Sequence, residues 1–95
     1  MHIHFLRTGG FAGRRIEKEF DTESLPAGKA RELNGLLEKS GFFELPVRLE
    51  GLVEGSDRFC YRLTVEVGGN VHTVEAVETA VPVEMRPLLD WLMRG

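Results

Sequence analysis

The chain has 95 residues, a length that suits one small core and excludes a core plus a deep, separate catalytic cleft. Hydrophobic residues make up 42% and charged residues 28%, the balance of a folded globular domain and too apolar for disorder. The formal charge of −3, with both signs interspersed and no basic run, lacks the electrostatic footprint of a nucleic-acid binder, so neither DNA nor RNA is an expected partner.

His2 to Arg7 alternates like a strand, and so does Arg14 to Asp21. Between them, Thr8-Gly9-Gly10-Phe11-Ala12-Gly13 reads as a glycine-rich turn closing a β-hairpin, with one large apolar residue, Phe11, at its tip. Three of the five residues from Gly9 to Gly13 are glycine, which reaches backbone angles other residues resist and leaves the backbone open to close approach. A bare tip carrying one aromatic has the form of a plug for a pocket. The plainer alternative is that the glycines only make the turn and Phe11 folds back onto the core. Ile3 and Phe5 share one face of the first strand, and Ile16 and Phe20 share one face of the second, opposite Glu17, Glu19 and Asp21. One side of the hairpin is therefore expected to be buried and the other wet. His2 and His4 also share a strand face, but a metal site would need His72 as a third ligand, and this spacing does not match that of structural zinc sites. No metal or cofactor is expected.

Asp21 to Pro26 reads as a strand end running into a helix start, with Ser24 as candidate cap and Pro26 in the first turn. The helix is expected to run to about Ser40, with Ala30, Leu33, Leu36 and Leu37 as its apolar stripe, and to stop at Gly41. Gly35 inside it costs about 1 kcal/mol relative to alanine. Phe42, Phe43 and Leu45 follow as expected core filling, and Pro46 starts a loop. Val47 to Ser56 shows no sustained period and is read as loop throughout. Its apolar residues Leu49, Leu52 and Val53 make it a second candidate contact region.

Asp57 to Glu78 gives two strands joined by a tight turn at Gly68-Gly69-Asn70. Phe59, Tyr61, Leu63, Val65 and Val67 alternate with Arg58, Arg62, Thr64 and Glu66; burying all five would contribute on the order of 10 kcal/mol gross. In the partner strand, Val74 and Ala76 are expected to face the core and Thr73 and Glu75 the water. Cys60, the single cysteine, makes no internal disulfide and has no histidine beside it in sequence, so packing or a neutral surface position is its expected role. The chain closes on a short amphipathic helix that begins either near Pro87 or near Val83; both versions put Leu88, Leu89 and Leu92 against the sheet, with Trp91 as a packing residue. The expected fold is a single α+β domain of order ββαββα: a four-stranded, mainly antiparallel sheet with a polar outer face and two helices packed on the other. Strand order does not follow from the sequence.

No apolar run approaches the roughly 20 residues of a membrane-spanning helix, and the N-terminus lacks the basic-then-apolar pattern of a signal peptide, so a cytoplasmic protein without a membrane partner is expected. No nucleophile motif, phosphate loop or metal spacing supports an enzyme.

The chain resembles the emfourins through Arg7-Thr8-Gly9-Gly10-Phe11-Ala12-Gly13, Asp21-Thr22 with Leu25-Pro26, Gly41-Phe42-Phe43 with Leu45-Pro46, Asp57-Arg58-Phe59 with Tyr61 and Leu63-Thr64-Val65, and Arg86-Pro87-Leu88-Leu89-Asp90-Trp91-Leu92. The resemblance follows the same order along nearly the whole chain. It implies a small bacterial protein inhibitor of thermolysin-like zinc metallopeptidases such as protealysin; with only scattered exposed apolar residues, a monomer in a 1:1 complex is the simplest expectation. On that implication, Thr8, Gly9, Gly10, Phe11, Ala12 and Gly13 enter the protease cleft, and Leu49, Leu52 and Val53 are secondary contacts. An interaction module that uses the same loop on a partner other than a protease is the alternative.

Overall fold

Alternation places Ile3 and Phe5 on one side of the first strand, and the fold is assembled on that side. The structure, a computed structural model, describes residues 1–9, 15–49 and 59–94. These form strands β1 (His2–Gly9), β2 (Ile16–Asp21), β3 (Arg48–Leu49), β4 (Phe59–Val67) and β5 (Asn70–Val77), with helices α1 (Ala27–Ser40) and α2 (Arg86–Arg94). The sheet order is β2-β1-β4-β5-β3, antiparallel except where β3 lies parallel to β5. The domain is α+β as expected, but its sheet is mixed and has five strands rather than four, and its order is ββαβββα rather than ββαββα. The extra strand comes from the segment read as loop: after Pro46 the chain lies along β5, and Glu75 N donates to Val47 O at 2.7 Å. A two-residue strand is too short to show a period in sequence.

The register lines up one apolar face. Ile3 lies between Phe20 and Val65, Phe5 opposite Leu63, and Leu63 opposite Val74. Ile3, Phe5, Leu63 and Val65 are wholly buried and join Leu33 and Leu37 of α1 and Leu88, Leu89, Trp91 and Leu92 of α2 in one core. Phe20 packs on Trp91 with ring centroids 5.5 Å apart, and Phe5 stacks on Tyr61 at 6.2 Å. Lys18, on the same face, sends its ammonium to Met93 O at 2.6 Å, placing a cation at the carbonyl end of α2 where the helix dipole favours one. Both helices thus cover one face of the sheet.

Several local expectations change. Pro26, not Ser24, occupies the cap position of α1, without a side-chain cap bond. Asp21 organises the preceding turn instead, its Oδ1 accepting from Glu23 N at 3.0 Å and its carbonyl from Ser24 N at 2.9 Å. Phe42 is wholly buried but Phe43 is 51% exposed, because the 3-10 turn Phe42–Glu44 can direct only one of two adjacent rings inward. The apolar row of β4 is likewise buried only at Leu63 and Val65, with Phe59 and Tyr61 partly covered and Val67 41% exposed. The gross burial expected for that row was therefore too large. A 3-10 turn at Val83–Met85 precedes α2, which begins at Arg86, so Pro87 lies in the first turn where its missing N–H costs nothing. Gly68 and Gly69 both have positive φ (55° and 84°), the geometry that the β4–β5 turn requires.

Two glycines in and after α1 have opposite consequences. Gly35 has open space where a Cβ would sit, so Gly35→Ala is expected to stabilise the fold by about 0.5–1 kcal/mol. Gly41 ends α1 at φ 66°, so Gly41→Ala is expected to destabilise it by about 1 kcal/mol. Urea denaturation of the two variants against the parent checks both signs.

Candidate functional site

Of the residues singled out by sequence, Thr8, Gly9 and Leu49 lie within the described part of the chain, while Gly10, Phe11, Ala12, Gly13, Leu52 and Val53 lie outside it. Thr8 and Gly9 are strand rather than turn. The β1–β2 pairing stops at Arg7 and Ile16, whereas β1 continues against β4 through Thr8 opposite Cys60 and Gly9 opposite Phe59. The first candidate segment is therefore carried on β4 as well as on its own hairpin. At Gly9 the chain takes φ 92°, a left-handed conformation that strains residues bearing a Cβ. On the helix-side face, the Arg7 guanidinium carbon sits 4.2 Å from the centroid of Phe59, a cation–π contact bracing the strand just before the glycines.

The outer face is less polar than expected. Across β1, β4 and β5 the register stacks Thr8, Cys60 and Val77 in one row and Leu6, Arg62 and Glu75 in the next, with Arg48 of β3 beside Glu75. These residues, together with Leu49, line a depression of about 580 Å³. Thr8 and Leu49, the described members of the two candidate segments, are both on its wall. This feature was not expected from the sequence. Its only trace in the sequence is that Leu6 and Val77 break the alternation of their strands by adding an apolar residue next to Phe5 and Ala76.

Two charge clusters lie on this face. Glu75 accepts from Arg62 Nε at 2.7 Å and, more loosely, lies 3.5 Å from Arg48 Nη2. Glu17 accepts from His4 Nε2 at 2.6 Å, with Arg15 at 3.6 Å. The hydrogen bond from Arg62, then its charge, then Arg48 hold the Glu75 carboxyl below the ordinary glutamate value of 4.5. The His4 hydrogen bond and the Arg15 charge do the same for Glu17. His72 is on the opposite face, its Nε2 2.9 Å from Leu45 O and its ring edge-on to Phe42. It is thus separated by the sheet from His4 and does not join it as a ligand. Among the described residues no three metal-ligating side chains cluster, and no helix is long and apolar enough to cross a membrane.

A lowered carboxyl pKa adds stability above the unfolded-state value and loses it as pH falls through the folded-state value. NMR titration of Glu75 is therefore expected to give a midpoint below 4.5 that rises toward 4.5 in Arg62→Gln. An unchanged midpoint in the variant would show that Arg62 does not hold the carboxylate in solution.

A comparison with family models gives a match to Emfourin over residues 5–93. No curated protein and no solved structure gives a match. The matched span contains every described strand and helix except the ends of β1 and α2, and on that coverage the chain belongs to the Emfourin family.

Proposed function

We propose that this protein inhibits thermolysin-like zinc metallopeptidases by filling the active-site cleft with the Thr8–Gly13 segment, Phe11 at its tip. Family membership over residues 5–93 is the observation that carries the reading. The geometry is compatible with it, because β1 brings Thr8 and Gly9 to the end of the sheet on a strand paired to β4. Such peptidases cut before bulky apolar residues, so an apolar pocket beside the zinc would accept Phe11. Delivery from a paired strand reduces the ordering entropy lost on binding, which favours tight association. The enzyme attacks with a zinc-activated water, so the inserted segment acts by excluding that water or by keeping its own backbone out of reach of it. The inhibitor supplies no catalytic group and no cofactor, and a single copy blocks a single enzyme.

Titrating a thermolysin-like peptidase with the protein, with a serine peptidase as control, tests this directly. The metallopeptidase is expected to lose activity stoichiometrically and the control to keep it. Phe11→Ala removes a side chain whose burial is worth about 1.5–3 kcal/mol, so inhibition should weaken by roughly 10- to 150-fold with no change in melting temperature. Unchanged potency would move the contact to the Val47 to Ser56 loop, with Leu49, Leu52 and Val53, or elsewhere. No loss of activity across several such peptidases would favour an interaction module with a different partner.

A further inference from the structure

The outer-face depression is lined by residues of four strands. Its walls hold uncharged residues in the row nearest the glycine segment, Thr8, Cys60 and Val77, and charged residues one row further back. In that second row two guanidiniums, Arg48 and Arg62, share one carboxylate, Glu75, and no other acid among the described residues reaches either of them. Both arginines are more than half exposed, and a guanidinium has five N–H donors, so donors remain for an incoming anion. Among the described residues, this corner of the sheet therefore combines an apolar recess with two guanidiniums for one carboxylate.

We propose that the depression is a second contact site for the inhibited peptidase, receiving an aliphatic or aromatic side chain that is flanked by an aspartate or glutamate on the surface beside the enzyme's cleft. The inference rests on the inhibitor reading above. Two features select this occupant. Thr8 belongs both to the depression and to the segment assigned to the cleft, so an enzyme engaged by that segment lies against this face. The arginine surplus selects an acidic neighbour for the inserted side chain. It also disfavours a second copy of the chain, since a two-fold contact at this site would bring Arg48 and Arg62 against their own counterparts.

Cys60 provides the probe, being the only cysteine of the chain, exposed, and on the wall of the depression. Its alkylation by a maleimide is followed with and without excess thermolysin-like peptidase, the peptidase alone serving as control. In a mixture whose peptidase is titrated to full inhibition, labelling of Cys60 is expected to slow at least tenfold. Val77→Glu, which places a carboxylate in the recess, is expected to raise the inhibition constant at least tenfold at an unchanged melting temperature. Arg62→Gln is expected to raise it several-fold and to flatten its dependence on salt. Unchanged labelling in a fully inhibited mixture overturns the proposal while leaving the inhibitor reading intact, and it decides the matter even where Val77→Glu fails to fold. Absence of any inhibition by the unmodified protein overturns the inhibitor reading and this one with it. Protection of Cys60 that grows with the protein's own concentration, without peptidase, assigns the site to a second copy and also overturns the proposal.

Discussion

Everything in this domain depends on β1 being held from both sides. Ile3 and Phe5 have no exposed surface, and the strand carrying them is hydrogen-bonded to β2 on one edge and β4 on the other. Burial of these two side chains is worth about 3–6 kcal/mol gross, a large fraction of the net stability of a small domain. The same strand runs four residues beyond Phe5 to Gly9, and its last two residues rely on β4 alone. Core packing therefore fixes where the glycine segment begins.

The two faces of the sheet carry separate duties. Against the helices, even the polar side chains are spent on packing: Lys18 closes the end of α2, and His72 bonds Leu45 O between aromatic neighbours. The outer face is free of that duty and is graded along its length. At one end lie Leu6, Thr8, Cys60 and Val77 with the Arg48–Glu75–Arg62 cluster; further along come the Thr64–Thr73 hydroxyl pair at 3.0 Å and then Glu66 and Asp21. The free edge of β2 is guarded by the same charges. Same-face residues oppose one another in an antiparallel pair, so docking β2 on its own copy would set Glu17 against Glu19, or Glu19 against itself.

The parts of the fold that were legible in the sequence are those with a repeating signal. The alternation of Phe59 to Val67, the Gly68-Gly69 turn and the leucine spacing of α1 each fix an element without help from the tertiary structure. What escaped is what tertiary contact decides. Two residues become strand β3 because β5 lies beside them, and Phe43 is exposed because Phe42 took the space beneath the sheet. The depression escaped for a related reason: its residues come from four strands, and they meet only once the β1–β4 and β3–β5 pairings are known. Thr8 and Leu49 were both visible as contact candidates, but nothing in their sequence positions shows that they border the same recess.

That convergence follows from the size of the chain. A two-layer domain of 95 residues spends one sheet face and both helices on its single core, which leaves the second sheet face outside it. A sheet face is flat unless something raises its margins, and the corner where β1 and β4 exchange their last pairs is also where β3 adds a margin beside β5. The corner is thus both concave and adjacent to the glycine segment. Gly9 ends the strand at that corner: its backbone still pairs with Phe59, and its φ is 92°. A β-carbon there would oppose that backbone angle, so glycine suits the last pair of β1.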